Sequence, residues 1–173
     1  MTTRPQRLHQ RPSDQAGTAG HKHPQTLRSV LLHALHSGSV ASVLSTAAVS
    51  LFSRRRTGHA AAGTNAASQW VWYPEARLAR APSWRHTATG YFIHHASSVF
   101  WATGYQATWP ERATPAGRIV RAASIATAAY VVDYHVVPRR LSPGFEHRIG
   151  AVGMYATYGA FALGLLLGTR RMR

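Results

Sequence analysis

Three stretches of the chain run for more than twenty residues without Asp, Glu, Lys or Arg: 29–53, 87–110 and 149–169. A fourth, 122–132, extends to 119–137 if Arg121 snorkels at one end and Asp133 is accepted inside. A helix needs about 20 mostly apolar residues to cross a bilayer core. The pattern therefore predicts an all-α polytopic membrane protein: a four-transmembrane-helix bundle with spans at about 29–53, 87–109, 119–137 and 149–169. The competing reading is a soluble four-helix bundle, but its helices would each carry a charged face at 3.6-residue spacing. The segment GAVGMYATYGAFALGLLLG is apolar or small on every side.

The connections agree with this division. Residues 1–28 are polar and lack the apolar side chains a folded unit needs, so a disordered basic tail is expected. The first span ends in Arg54-Arg55-Arg56, a stop-transfer pattern. That pattern and the length of the run argue against a cleaved signal peptide with its site near Ala60-Ala61-Ala62. Between the first two spans lies NAASQWVWYPEARLAR. Its Trp70, Trp72 and Tyr73 favour the headgroup region, and Arg77 can meet lipid phosphate. A short interfacial helix is expected there, N-capped by Thr64 or Asn65 and ended by Pro74. Pro110, Pro115 and Gly117 predict a tight second connection, and Pro138 with Pro143-Gly144 a third. Consecutive spans should then be antiparallel neighbours, with both termini on one side of the membrane.

Composition and charge sharpen the picture. The formal charge is +15, from 20 Lys and Arg against 5 Asp and Glu, and only Lys22 is a lysine. Alone, that balance suggests nucleic acid. Its distribution excludes the suggestion: the basic residues are split among five segments that flank the apolar runs, and no nucleic-acid partner is expected. Charged residues make up only 14% of the chain, well below the usual quarter of a soluble domain. The basic segments, Arg139 and Arg140 included, instead suit a bilayer with anionic headgroups. The termini side would hold 11 basic residues and the other side 9, which favours cytoplasmic termini. There is no Cys, so disulfides, thiolate metal sites, a cysteine nucleophile and S-acylation are excluded.

Helices in lipid associate through small residues that allow close approach. Gly38 and Ser42 in the first span, and Ala156, Ala160, Gly164 and Gly168 in the last, are the candidate packing positions. The polar residues at membrane depth are His94, His95, Ser98 and Asp133. An ionisable group inside a span is a functional-site hypothesis by default. Antiparallel pairing of the second and third spans puts His94 and His95 at a depth similar to Asp133, so the sequence predicts a pair between one of the histidines and Asp133. Such a pair would serve as an interhelical hydrogen bond or a proton relay, or with His135 offer metal ligands. Asp133 could instead pair with Arg139 or Arg140. Residues 133 and 135 lie about 200° apart on a helix, and no closed metal motif, P-loop, GxGxxG or HExxH is present. No metal and no cofactor is expected. Ser98 beside His94 lacks the surroundings of a nucleophile. Tyr91, Tyr105 and Trp109 bracket the second span as interfacial anchors.

The stretches TGYFIHHASSVFWATGY and VDYHVVPRRLSPGFEHR are of a kind met in small bacterial inner-membrane proteins. The Asn65–Glu75 loop and the spacing of His94, Ser97 and Phe100 resemble the YagU-type inner-membrane family. That resemblance implies a four-helix inner-membrane protein with a link to stress or acid resistance and no defined chemistry. The expected function is a non-enzymatic one, as a subunit of a membrane complex (with itself or another protein) or a stress-associated factor. The alternative is a proton- or ion-coupled transporter or channel subunit using Asp133 with His94 or His95.

Overall fold

The computed structural model describes residues 26–108 and 114–169, and every element among them is helical. The expected disordered tail up to residue 25, the anchor Trp109, the turn at Pro110 and the basic tail 170–173 lie outside the described residues.

Helix α1 spans Leu27–Thr57, a rise of about 46 Å. Thr26 caps it, its side chain accepting the Ser29 N–H. Gly58, at φ 78°, closes it by donating its N–H to the Arg54 carbonyl. The helix runs past the expected end at residue 53 because Arg54, Arg55 and Arg56 occupy its last turn, where the helix dipole favours cations. Two short helices follow, α2 (Ala61–Ala67) and α3 (Gln69–Trp72), then a 3-10 turn at Glu75–Arg77. A π turn at Trp84–Ala88 leads directly into α4, Thr89–Ala107. Helix α5, Pro115–Val131, starts on a Thr114 cap with proline in its first turn and continues through a π turn at Val132–Val136. Helix α6, Glu146–Gly168, is broken in its first turns at Gly150, whose φ of 69° and ψ of 178° are not helical. The Arg56 guanidinium sits where a Gly150 side chain would stand.

Helix α1 is the centre of the bundle, packed along α6 and α4, while α5 packs mainly on α6 and less on α4. Small residues make these contacts. A Cβ on Gly164 would strike the Ala41 backbone, one on Gly168 the Ser37 backbone, and one on Gly38 the Val99 backbone. On α1 the inward positions are Ala34, Ser37, Gly38, Ala41, Ser42 and Ser45. On α6 they are Gly153, Thr157, Phe161, Gly164, Leu165 and Gly168. Ala156 and Ala160 are only half-buried. A strict four-residue row gains about 40° per step over a 3.6-residue helix, so a row that faces α1 at Gly164 and Gly168 has turned away by Ala156.

The outward positions are large and apolar. On α1 they include Leu32, Leu35 and Val43, and on α4 Phe92 and Phe100. On α5 they include Ile119 and Val120, and on α6 Val152, Leu167 and Tyr155, which is 81% exposed. The bundle thus has small and hydroxyl residues inside and bulky hydrocarbon outside. By length and composition two of the described helices, α1 and α6, can cross a membrane, and only 33% and 39% of their apolar windows are buried. Helix α5 is 17 residues long before its π turn.

The first connection is a folded cap over one end of the bundle. Helix α2 begins at Ala61 with no side-chain cap, and Thr64 and Asn65, expected to start a helix, are buried within it. Its sequence AAGTNAA is small enough to wedge between α1 and α4: a Cβ on Gly63 would meet Val49 and Ser53, and one on Gly90 the Thr64 carbonyl. Two buried amides fasten the cap. Asn65 donates to the carbonyls of Ala79 and Ala81 and accepts from the Thr87 hydroxyl. Gln69 donates to the carbonyls of Ser142 and Arg139. Such amides give partners to loop carbonyls that no secondary structure pairs.

Candidate functional site

A small cavity of about 50 Å³ lies between the helices near the capped end, room enough for a water. All four long helices and the cap contribute to its wall. Ser45 comes from α1, His94, Ser97, Ser98 and Trp101 from α4, and Asp133 from the π turn after α5. Thr157, Tyr158 and Phe161 come from α6, with Trp70 and Phe145 closing the top.

The two ionisable groups that the sequence singled out, His94 and Asp133, thus face one cavity, but each has its own partner. Tyr158 donates its hydroxyl proton to Asp133 Oδ2 at 2.7 Å. The Ser45 hydroxyl lies 2.7 Å from the Ala41 carbonyl and 2.8 Å from His94 Nε2, so it joins the imidazole to the backbone of α1. Neither arginine expected as an alternative partner reaches Asp133: Arg139 and Arg140 are exposed on the loop beyond it. His95 turns to another side of α4, its ring 5.9 Å from Tyr91. His135 is exposed and rests on Tyr130. Ser98 is buried, its hydroxyl bonded back to the His94 carbonyl. The Ser42 hydroxyl is buried without a hydrogen bond.

Around Asp133 the walls are aromatic. Tyr130, Tyr134 and Tyr158 contact one another edge to face or tilted, with ring centres 5.4 to 6.5 Å apart. Phe145 meets both Tyr134 and His94 edge-on. The half-buried carboxyl sits beside this cluster and takes its one phenolic donor from it.

No protein-family model matches the chain, and no curated protein or solved structure matches it either.

The remaining sequence candidates fall elsewhere. Trp70 and Tyr73 are partly exposed on the cap. Trp72 is half-buried beneath Arg85, whose guanidinium lies 4.4 Å above its ring and pairs with Glu75 at 2.6 Å. Tyr105 is fully buried rather than facing an interface. Its carbonyl accepts from Arg121 Nε and Nη2, both at 3.2 Å, so this arginine ties the last turn of α4 to α5. At the same end Gln106 donates to the Ser37 hydroxyl. The sequence left Gln69, Gln106 and Tyr158 without a role and marked Asn65 only as a helix cap. The three amides carried a signal: each is a lone Asn or Gln inside a run of small or apolar residues.

Proposed function

We propose that the chain is an integral membrane protein of four spans, α1, α4, α5 with its π turn, and α6, with both termini on the cytoplasmic side of a bacterial inner membrane. Its role is non-enzymatic, as a subunit of a membrane complex or a stress-associated factor of the kind the YagU-type resemblance suggests. The observation that carries this reading is the inverted distribution of side chains. Soluble monomers rarely expose apolar patches beyond a few hundred Å², whereas all four long helices here present large hydrocarbon side chains outward and pack through Gly, Ala and Ser. That is the packing lipid favours, because hydrocarbon outside and hydrocarbon inside are equivalent there and only close approach discriminates. Alkaline carbonate washing of membranes from expressing cells is the test. The chain is expected to stay in the pellet, and its release into the supernatant would contradict the reading.

A second reading has its own support. His94 and Asp133 line one water-sized cavity, and ionisable groups sharing such a cavity between helices are candidates for a proton or small-cation path. In reconstituted vesicles, Asp133→Asn and His94→Ala would each abolish a proton or ion flux carried by the native chain. Unchanged flux in correctly folded variants would leave the two residues a structural role alone.

A further inference from the structure

The cavity between the helices is not the only concave site. A cleft of about 650 Å³ opens at the capped end, between the first connection and the segment joining α5 to α6. Its walls include Tyr73, Arg77, Arg139, Arg140, Glu146 and His147. We propose that this cleft binds the phosphate of an anionic lipid headgroup. The assignment rests on the four-span reading above.

Charge comes first. Three guanidinium groups face a space that contains one carboxylate. Among the described residues the arginine–carboxylate pair is Arg85–Glu75, outside the cleft. Glu146 is turned to His147, 3.4 Å away. Arginine forks match phosphate oxygens two at a time, and three guanidinium groups against one carboxylate leave an excess of positive charge in a concavity, which draws an anion.

Rigidity comes second. The two loops that carry the arginines are tied together. Gln69, 5% exposed, reaches from the first connection to donate to the carbonyls of Ser142 and Arg139. Its amide lies where a Gly144 side chain would stand, and Gly144 has a φ of 75°. Arg148 donates to the Arg77 carbonyl. The backbone beneath the arginines is therefore fixed before any ligand arrives, which lowers the entropic cost of binding.

Position comes third. The cleft lies just past the end of α5 and beside the first turn of α6. Trp70, Leu78, Trp84 and Leu141 are exposed on the same end. In the four-span reading this level is the headgroup region, where aromatic rings settle and arginines meet phosphate. The volume falls within the range of roughly 300–1,000 Å³ usual for small-molecule sites.

Native mass spectrometry of the full chain released from detergent micelles, with phosphatidylglycerol and phosphatidylcholine supplied together, tests the assignment. The native chain should retain phosphatidylglycerol in preference. The triple variant Arg77→Ala, Arg139→Ala, Arg140→Ala should lower that retention about tenfold or more, as expected for losing charged hydrogen bonds. A triple variant outside the cleft, Arg54→Ala, Arg55→Ala, Arg80→Ala, removes the same charge from the same end and should change retention less than about twofold. Arg140→Gln alone serves if the cleft triple loses helical circular dichroism. Equal losses in the two triples would overturn the cleft in favour of general surface charge. Displacement of the lipid by inorganic phosphate at equal concentration would overturn the lipid source. A chain that withstands carbonate but shows no lipid preference overturns the cleft alone; a chain that carbonate releases overturns the membrane reading and the lipid assignment with it.

Discussion

Asp133 and Tyr158 form the most specific polar contact between α6 and the end of α5. Interhelical hydrogen bonds in membrane proteins contribute about 0.6 kcal/mol on average and up to about 1.7. Tyr158→Phe removes the carboxyl's donor and should destabilise by about 1–2 kcal/mol. Asp133→Asn keeps an oxygen to accept the phenol proton and should cost less. Thermal unfolding in detergent, followed by circular dichroism, compares them, and the reverse order would show that the carboxylate rather than the bond matters. Asp133 was legible in the sequence because it is the one carboxylate within a long apolar run. Tyr158 was not, because which of several tyrosines meets it depends on how α6 is rotated about its axis. His94 and His95 were equivalent by depth alone, and only the packed face of α4 separates them.

At the scale of elements, the α1–α6 seam sets the geometry of the bundle. Gly164→Val places two methyl groups against the Ala41 backbone and should destabilise by about 1–3 kcal/mol. Gly159, on the same helix, has no atom within 4 Å of where a Cβ would stand, so Gly159→Val should stay within about 0.5 kcal/mol of the parent. Similar losses at both sites, measured by the same unfolding assay, would mean that close packing at Gly164 does not decide the cost. The long helices were readable from the uncharged runs, and the small-residue face of α1 from the spacing of Gly38 and Ser42. The cap was read in the right place with the wrong interior. Thr64 and Asn65 suggested a start signal because N-caps favour them, but the same side chains also satisfy buried loop carbonyls, and in AAGTNAA the tertiary contacts of Asn65 with Ala79, Ala81 and Thr87 prevail.

For the molecule as a whole, charge and hydrocarbon are partitioned by position along the bundle axis. One end holds the cap with Arg77, Arg80, Arg85, Arg139 and Arg140, and the other the start of α1, the start of α5 and the end of α6. Between them, the outward faces carry Val43, Phe100 and Leu163. Among the described residues arginine is concentrated toward the two ends of the bundle. The complete lack of cysteine makes the partition directly measurable. Single cysteines introduced at Leu141 and Arg80 on the cap, at Thr26 and Ala116 on the opposite end, and at Phe100 and Val43 on the outward midsections can be challenged with a membrane-impermeant maleimide on sealed inner-membrane vesicles of known sidedness. The four-span account predicts that the two end sets react from opposite sides and that the midsection pair stays unlabelled until detergent is added. Labelling of Phe100→Cys and Val43→Cys as fast as the loop positions, or of both end sets from the same side, would contradict it.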